Sequence, residues 1–183
     1  MFLAGNGLPG RFRDGFHVTE LGFGTGLNLL ATVLASGGQN LRYTSFEAFP
    51  LAAADVARAL DAFPEVRAVA EGFLRHWAAG ERRFQLDGVA VEVIVGDARD
   101  TLAAWGGVAD AWYLDGFSPA KNPELWSADL MAEVASHTAK GGTFATYTAA
   151  GHVRRALAAA GFQVERLPGY GRKRHMTAGK LAP

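Results

Sequence analysis

The sequence predicts a single α/β domain of the Rossmann-like kind, a mostly parallel seven-stranded sheet between helices with an antiparallel C-terminal strand. Three observations predict it. Short apolar runs rich in β-branched and aromatic residues alternate with Ala/Leu-rich stretches of helical spacing, the pattern of repeated strand–helix units. A glycine cluster, Gly22-Phe23-Gly24-Thr25-Gly26, stands where the first apolar run gives way to the first helical one. Between residues 162 and 177, two strand-like runs are joined only by Pro168-Gly169-Tyr170-Gly171. That is too short for a helical crossover, so these strands pair antiparallel.

Taken in order, a strand over residues 16–21 runs through the glycines into a helix over 26–35. A strand over 41–47 precedes two helices, over 52–59 and 65–79, and a strand over 89–95 precedes a short helix over 101–104. The strand over 109–114 leads by a Gly/Pro-rich loop to a helix over 123–138, the strand over 143–147 to a helix over 151–159, and strands over 162–167 and 173–177 complete the chain. Gly, Pro or polar residues bound each element. Seven strands with the last reversed is the arrangement of the commonest class of S-adenosylmethionine-dependent methyltransferases, and ordinary dinucleotide dehydrogenases do not end this way.

With 183 residues, 49% of them hydrophobic and 20% charged, the chain can bury a sizeable core. It has no apolar run of 18 residues and no N-terminal targeting pattern, so a soluble, non-exported, cytoplasmic protein is expected. The absence of cysteine excludes disulfides, iron–sulfur clusters and thiolate zinc sites, and the five histidines lack a metal-binding spacing, so no metal is expected. Net charge is zero but unevenly spread. From Gly151 onward Arg154, Arg155, Arg166, Arg172, Lys173, Arg174 and Lys180 face a single acid, Glu165. Such a cluster is either a phosphate-binding surface or a solvated face.

Glycines at a strand-to-helix turn let a ligand approach the backbone and its outward N–H groups. The spacing here lacks the third glycine of the pyrophosphate fingerprint, and Glu20 precedes it. That acid repels a pyrophosphate and suits the amino group or sulfonium of a methyl donor. Glu47 closes the second strand, where a carboxylate accepts hydrogen bonds from ribose hydroxyls. Asp97, after the third, is a candidate for the adenine amino group or simply a helix N-cap. In Leu114-Asp115-Gly116-Phe117-Ser118-Pro119-Ala120-Lys121-Asn122-Pro123, an apolar strand delivers Asp115 to the carboxyl edge of the sheet, followed by an aromatic in a rigid loop. A carboxylate so placed can receive a proton from a nucleophilic amine while the aromatic holds a flat base. The alternative reading makes Asp115 a turn residue and Phe117 a core residue.

These motifs, with Ser45-Phe46-Glu47-Ala48-Phe49-Pro50, residues 145–157 and Gly171-Arg172-Lys173-Arg174-His175-Met176, run along nearly the whole chain. Together they resemble the methyltransferase domain of the MnmC family, in a stand-alone, MnmD-like form. Members modify the wobble uridine of certain transfer RNAs. The resemblance implies methyl transfer from S-adenosylmethionine to the exocyclic amine of 5-aminomethyl-2-thiouridine, giving 5-methylaminomethyl-2-thiouridine. It implies Asp115 as the catalytic or amine-positioning carboxylate. Glu20, Gly22, Phe23, Gly24, Thr25 and Gly26 would surround the methionine part of the donor, Glu47 its ribose and Asp97 its adenine. The expected tRNA-facing residues are Phe117, Pro119, Lys121, Asn122, Arg154, Arg155, Lys173, Arg174 and His175.

Family members usually carry a further segment before the position of Asn6, and bifunctional members carry a flavin-dependent oxidase domain. The chain is therefore expected to be shortened or to have a misassigned start, with the upstream oxidase a separate protein or a missing part. Rival readings are a methyltransferase for a small amine or a protein, and a non-catalytic domain that binds S-adenosylmethionine or RNA.

Overall fold

The computed structural model describes residues 1–171 and 173–182. A single helical turn, α1 (Phe2–Gly5), precedes β1 (His17–Leu21), α2 (Leu27–Ala35), β2 (Leu41–Glu47), α3 (Ala53–Leu60) and α4 (Arg67–Ala78). A hairpin of β3 (Arg83–Leu86) and β4 (Val89–Val95) leads to α5 (Ala98–Thr101) and β5 (Ala109–Leu114). Then come α6 (Ala128–Ser136), β6 (Thr138–Thr146), α7 (Gly151–Ala159), β7 (Phe162–Pro168) and β8 (His175–Leu181).

All strands join one sheet in the order β3-β4-β2-β1-β5-β6-β8-β7. The pairs β1·β2, β1·β5, β2·β4 and β5·β6 are parallel. The last strand, β8, lies antiparallel between β6 and β7, as the short connection requires. Among the described residues the sheet has eight strands where seven were expected. The addition is β3, four residues paired antiparallel with β4 across a tight turn whose Asp87 and Gly88 both take positive φ, 44° and 86°.

The central strands are buried on both faces; every residue of β1 is buried. One core layer holds Val18, Leu30, Tyr43, Phe73 and Trp77 with α2 to α4. The other holds Phe46, Trp112, Met131, Phe144 and Leu157 with α5 to α7.

Several boundaries move for local reasons. The helix expected over 101–104 forms earlier because Asp97 caps it, accepting from the Arg99 backbone N–H at 2.9 Å. The helix expected over 123–138 divides at Ser127, whose Oγ accepts from the Leu130 N–H and begins α6, leaving a separate 3₁₀ turn at Glu124–Trp126. The strand expected over 143–147 begins at Thr138, and the one expected over 173–177 is displaced to His175–Leu181. The carboxyl ends of β1, β2, β4, β5, β6 and β7 and the start of β8 share one edge of the sheet.

Candidate active site at the carboxyl edge

The three glycines after β1 do different work. A Cβ on Gly22 (φ +90°) would lie 2.5 Å from the Asp115 carbonyl oxygen, so this glycine lets the turn meet the end of β5. There the Asp115 N–H donates to the Leu21 carbonyl at 3.0 Å. Gly26 (φ +75°) caps α2 against the Phe73 ring. Gly24 (φ +54°) faces open space, since a Cβ there meets nothing within 4 Å. Glu47 ties this turn to β2: its carboxylate accepts from the Gly24 N–H at 3.0 Å and the Phe49 N–H at 2.8 Å.

Three residues expected to touch the donor make contacts within the protein. Phe23 is buried, stacked on Trp77 with ring centroids 4.9 Å apart, and is a core residue. Glu20 is fully buried beneath the turn, where it accepts from Asn28 Nδ2 (2.7 Å), Tyr43 Oη (2.8 Å) and Ser45 Oγ (3.0 Å). Burial, and secondarily the charge of Asp115, push its pKa up to about 8. It meets protein groups instead of the cleft. Asp97 caps α5 and is clamped by the Arg99 guanidinium, which with the backbone donor holds its pKa down at about 2. Its carboxylate pairs with Arg99 and stays partly exposed.

Asp115 lines a cavity of about 410 Å³ with Asn28, Tyr113, Tyr147, Tyr170 and Lys173. Its Oδ2 accepts from Asn28 Nδ2 at 2.8 Å, so that one amide nitrogen serves both carboxylates. Burial raises the Asp115 pKa, and the Asn28 hydrogen bond opposes the shift. The Tyr147 hydroxyl donates to the Gly116 carbonyl at 2.8 Å, and Lys173 Nζ sits 5.0 Å from the centroid of the Tyr147 ring. A second concavity, about 450 Å³, is lined by His17, Arg42 and Ala90 near the amino ends of β1, β2 and β4. None of the expected site residues reaches it.

The loop after Asp115 is braced by Trp126 Nε1 donating to the Phe117 carbonyl at 2.8 Å, leaving the Phe117 ring 74% exposed. Pro119 is half-buried and Lys121 exposed. Asn122 has a structural task, its Oδ1 accepting from the Leu125 N–H at 3.4 Å. Arg154 and Arg155 stand in the first turns of α7, the former half-buried with its Nε unpartnered and the latter exposed. Exposed Lys173 and Arg174 and half-buried His175 follow β7 at the same edge. Arg172, counted with this basic cluster, lies outside the described residues. Sequence reasoning missed Asn28 and Tyr147 as members of the site. Among the described residues, no three His, Asp or Glu side chains converge as a metal site.

Residues 64–182 match the model of a family described as S-adenosyl-L-methionine-dependent methyltransferase. The tRNA 5-methylaminomethyl-2-thiouridine biosynthesis bifunctional protein MnmC of Caulobacter sp. strain K31 is 47% identical, over 95% of this chain and 32% of that protein. Its namesake in Pseudomonas aeruginosa PAO1 is 44% identical over 98% and 30%. The chain thus spans about a third of the length of these relatives. The crystal structure of MnmC2 from Aquifex aeolicus superposes with a TM-score of 0.82 at 26% identity, covering all of this chain and 59% of that one. With the family model matched from residue 64 through β8, over more than half of its length, the chain belongs to this family of S-adenosyl-L-methionine-dependent methyltransferases.

Proposed function

We propose that the chain methylates the exocyclic amine of 5-aminomethyl(-2-thio)uridine at the wobble position of tRNA, giving the 5-methylaminomethyl nucleoside. The carrying observation is Asp115, a carboxylate on a cavity wall beside the open glycine turn. The names of the relatives support the substrate.

S-adenosylmethionine supplies an electrophilic methyl group when bound. The open space at Gly24 is a cradle that a side chain would fill, so the residues present fit such a group. Gly22, Gly24, Thr25 and Gly26 bring the backbone to its methionine part, and Glu47 accepts from its ribose. The exposed ring of Phe117, with Pro119, offers an apolar face for a base. Lys121, Arg154, Arg155, Lys173, Arg174 and His175 supply donors for RNA phosphates. Asp115 orients the amine and accepts or directs its proton. An alkylamine has a reference pKa near ~10 and is mostly protonated at neutral pH, so the lone pair must be freed before it attacks. The raised pKa of Asp115 makes it a better proton acceptor than an ordinary aspartate.

Acting on tRNA, the enzyme works in the cytoplasm. A flavin-dependent oxidase is the proposed source of the free aminomethyl group.

The test is incubation with labelled S-adenosylmethionine and tRNA bearing the aminomethyl uridine, followed by nucleoside analysis, for wild type and Asp115→Asn. The variant should lose about 10²–10⁴ in kcat, the usual contribution of such a group, and recover part of it toward pH ~10. Methylation of small amines without RNA would overturn the tRNA reading. Full activity of the variant at neutral pH would overturn the role of Asp115.

A further inference from the structure

The Asp115 carboxylate has one side-chain hydrogen-bond partner among the described residues, Asn28. Asn28 is the second residue of α2, so the helix and the glycine turn fix where its amide begins. Both hydrogens of its Nδ2 have acceptors, Glu20 Oε1 at 2.7 Å and Asp115 Oδ2 at 2.8 Å. A flipped amide would turn its carbonyl oxygen toward the Asp115 carboxylate in place of a donor, which favours the orientation seen. Glu20 is itself immobilised from β2 by Tyr43 and Ser45. A chain of fixed contacts thus runs from the buried centre of the sheet, through one amide, to the carboxylate on the cavity wall.

We propose that Asn28 is a positioning residue for methyl transfer: held by Glu20, it fixes Asp115 through Oδ2 and leaves Oδ1 to face the substrate amine. The inference rests on the reading of Asp115 given above. The titratable groups around Asp115 are Met1, Tyr113 on β5, Tyr147 after β6, and Tyr170 and Lys173 between β7 and β8, which line the same cavity, and Glu20 on β1 across Asn28, with Tyr43 of β2 behind it. Asn28 is the one whose hydrogen bond favours the carboxylate anion. Its removal therefore raises the pKa of Asp115, and the acidic limb of the rate profile moves to higher pH.

The experiment is single-turnover methylation of aminomethyl-uridine tRNA by Asn28→Ala, Asn28→Leu, Asp115→Asn and the Asn28→Ala/Asp115→Asn double variant. Melting temperature and S-adenosylhomocysteine affinity are measured on the same samples. If Asn28→Ala does not fold, Asn28→Leu, which keeps the volume, takes its place. Loss of positioning lowers kcat about 10- to 100-fold, with the KM for tRNA and the affinity for S-adenosylhomocysteine little changed. Because Asn28 acts through Asp115, the double variant should be no slower than Asp115→Asn alone. Multiplied losses in the double variant, or a wild-type rate and pH profile for Asn28→Ala beside an impaired Asp115→Asn, would overturn the inference. An unimpaired Asp115→Asn overturns the parent reading and this inference with it, and that outcome is read from the single variant alone.

Discussion

Replacing Glu20 with Gln measures the strain that an ionisable group imposes beneath the glycine turn. The ordinary pKa of 4.5 is pushed up to about 8 in the fold. Between those values the folded protein holds a proton that the unfolded chain releases, so stability falls as pH rises from about 4.5 to about 8. At ~1.36 kcal/mol per unit, the full penalty approaches about 4–5 kcal/mol above pH 8. Gln has the same shape, and its oxygen can still accept from Asn28. Its amide can donate to Ser45 or Tyr43, whose hydroxyls turn to accept. Weaker hydrogen bonds to a neutral acceptor offset part of the gain. Glu20→Gln should match wild type near pH 5 and exceed it by about 2–4 kcal/mol at pH 8. Urea unfolding at pH 5, 6, 7 and 8, followed by fluorescence of the four Trp residues, gives the difference. His17, whose pKa burial lowers to about 4, weakens the fold as pH drops below its ordinary 6.5, but equally in both proteins, so it cancels. A stability difference that stays flat with pH, or that shrinks as pH rises, refutes the reasoning.

Gly22→Ala places a Cβ 2.5 Å from the Asp115 carbonyl oxygen at φ +90° and should destabilise the fold by about 2–4 kcal/mol in urea titration. Gly24→Val adds a Cβ with no atom within 4 Å but strains the backbone at φ +54°, so a less stable variant that still folds by melting temperature should no longer bind S-adenosylhomocysteine by calorimetry; retained affinity would remove this turn from the donor site. Glu47→Ala should weaken donor affinity by about 1.5–3 kcal/mol, read in the KM for S-adenosylmethionine, and a change confined to the KM for tRNA would refute the ribose assignment.

The alternation of apolar runs and helical stretches carried the topology because a parallel sheet buried on both faces leaves a strong signature in β1, β2 and β5. The short Pro168–Gly171 connection carried the reversal of β8. The β3 strand was passed over because only four residues of it pair, alternating exposed and buried, although Asp87-Gly88 is a hairpin signal. At the candidate site, the placement of Asp115, Glu47 and the open Gly24 at the carboxyl edge was legible from their positions after strands. Whether an acid next to a glycine turn faces ligand or protein depends on what the neighbouring strand offers it. Tyr43 and Ser45 turn Glu20 inward, and no local pattern around Glu20 records them. Asn28 stood inside the glycine motif, but its bond to Asp115 spans 87 residues of chain. Asp97 was captured by Arg99, two residues away, a competition that spacing alone left open.

The place of β8 in the sheet has a consequence for synthesis. Among the described residues β7 pairs with no strand except β8, and β8 leaves the ribosome after the other seven strands of the sheet. Until residues 175–181 emerge, β7 has no hydrogen-bonding neighbour and the loop carrying Lys173 and Arg174 has no second anchor. The glycine turn, Glu47 and Asp115 belong to strands that can pair long before. A nascent chain therefore assembles the edge proposed for the methyl donor first, and acquires the basic loop proposed for RNA only as β8 pairs with β6 and brings β7 into the sheet.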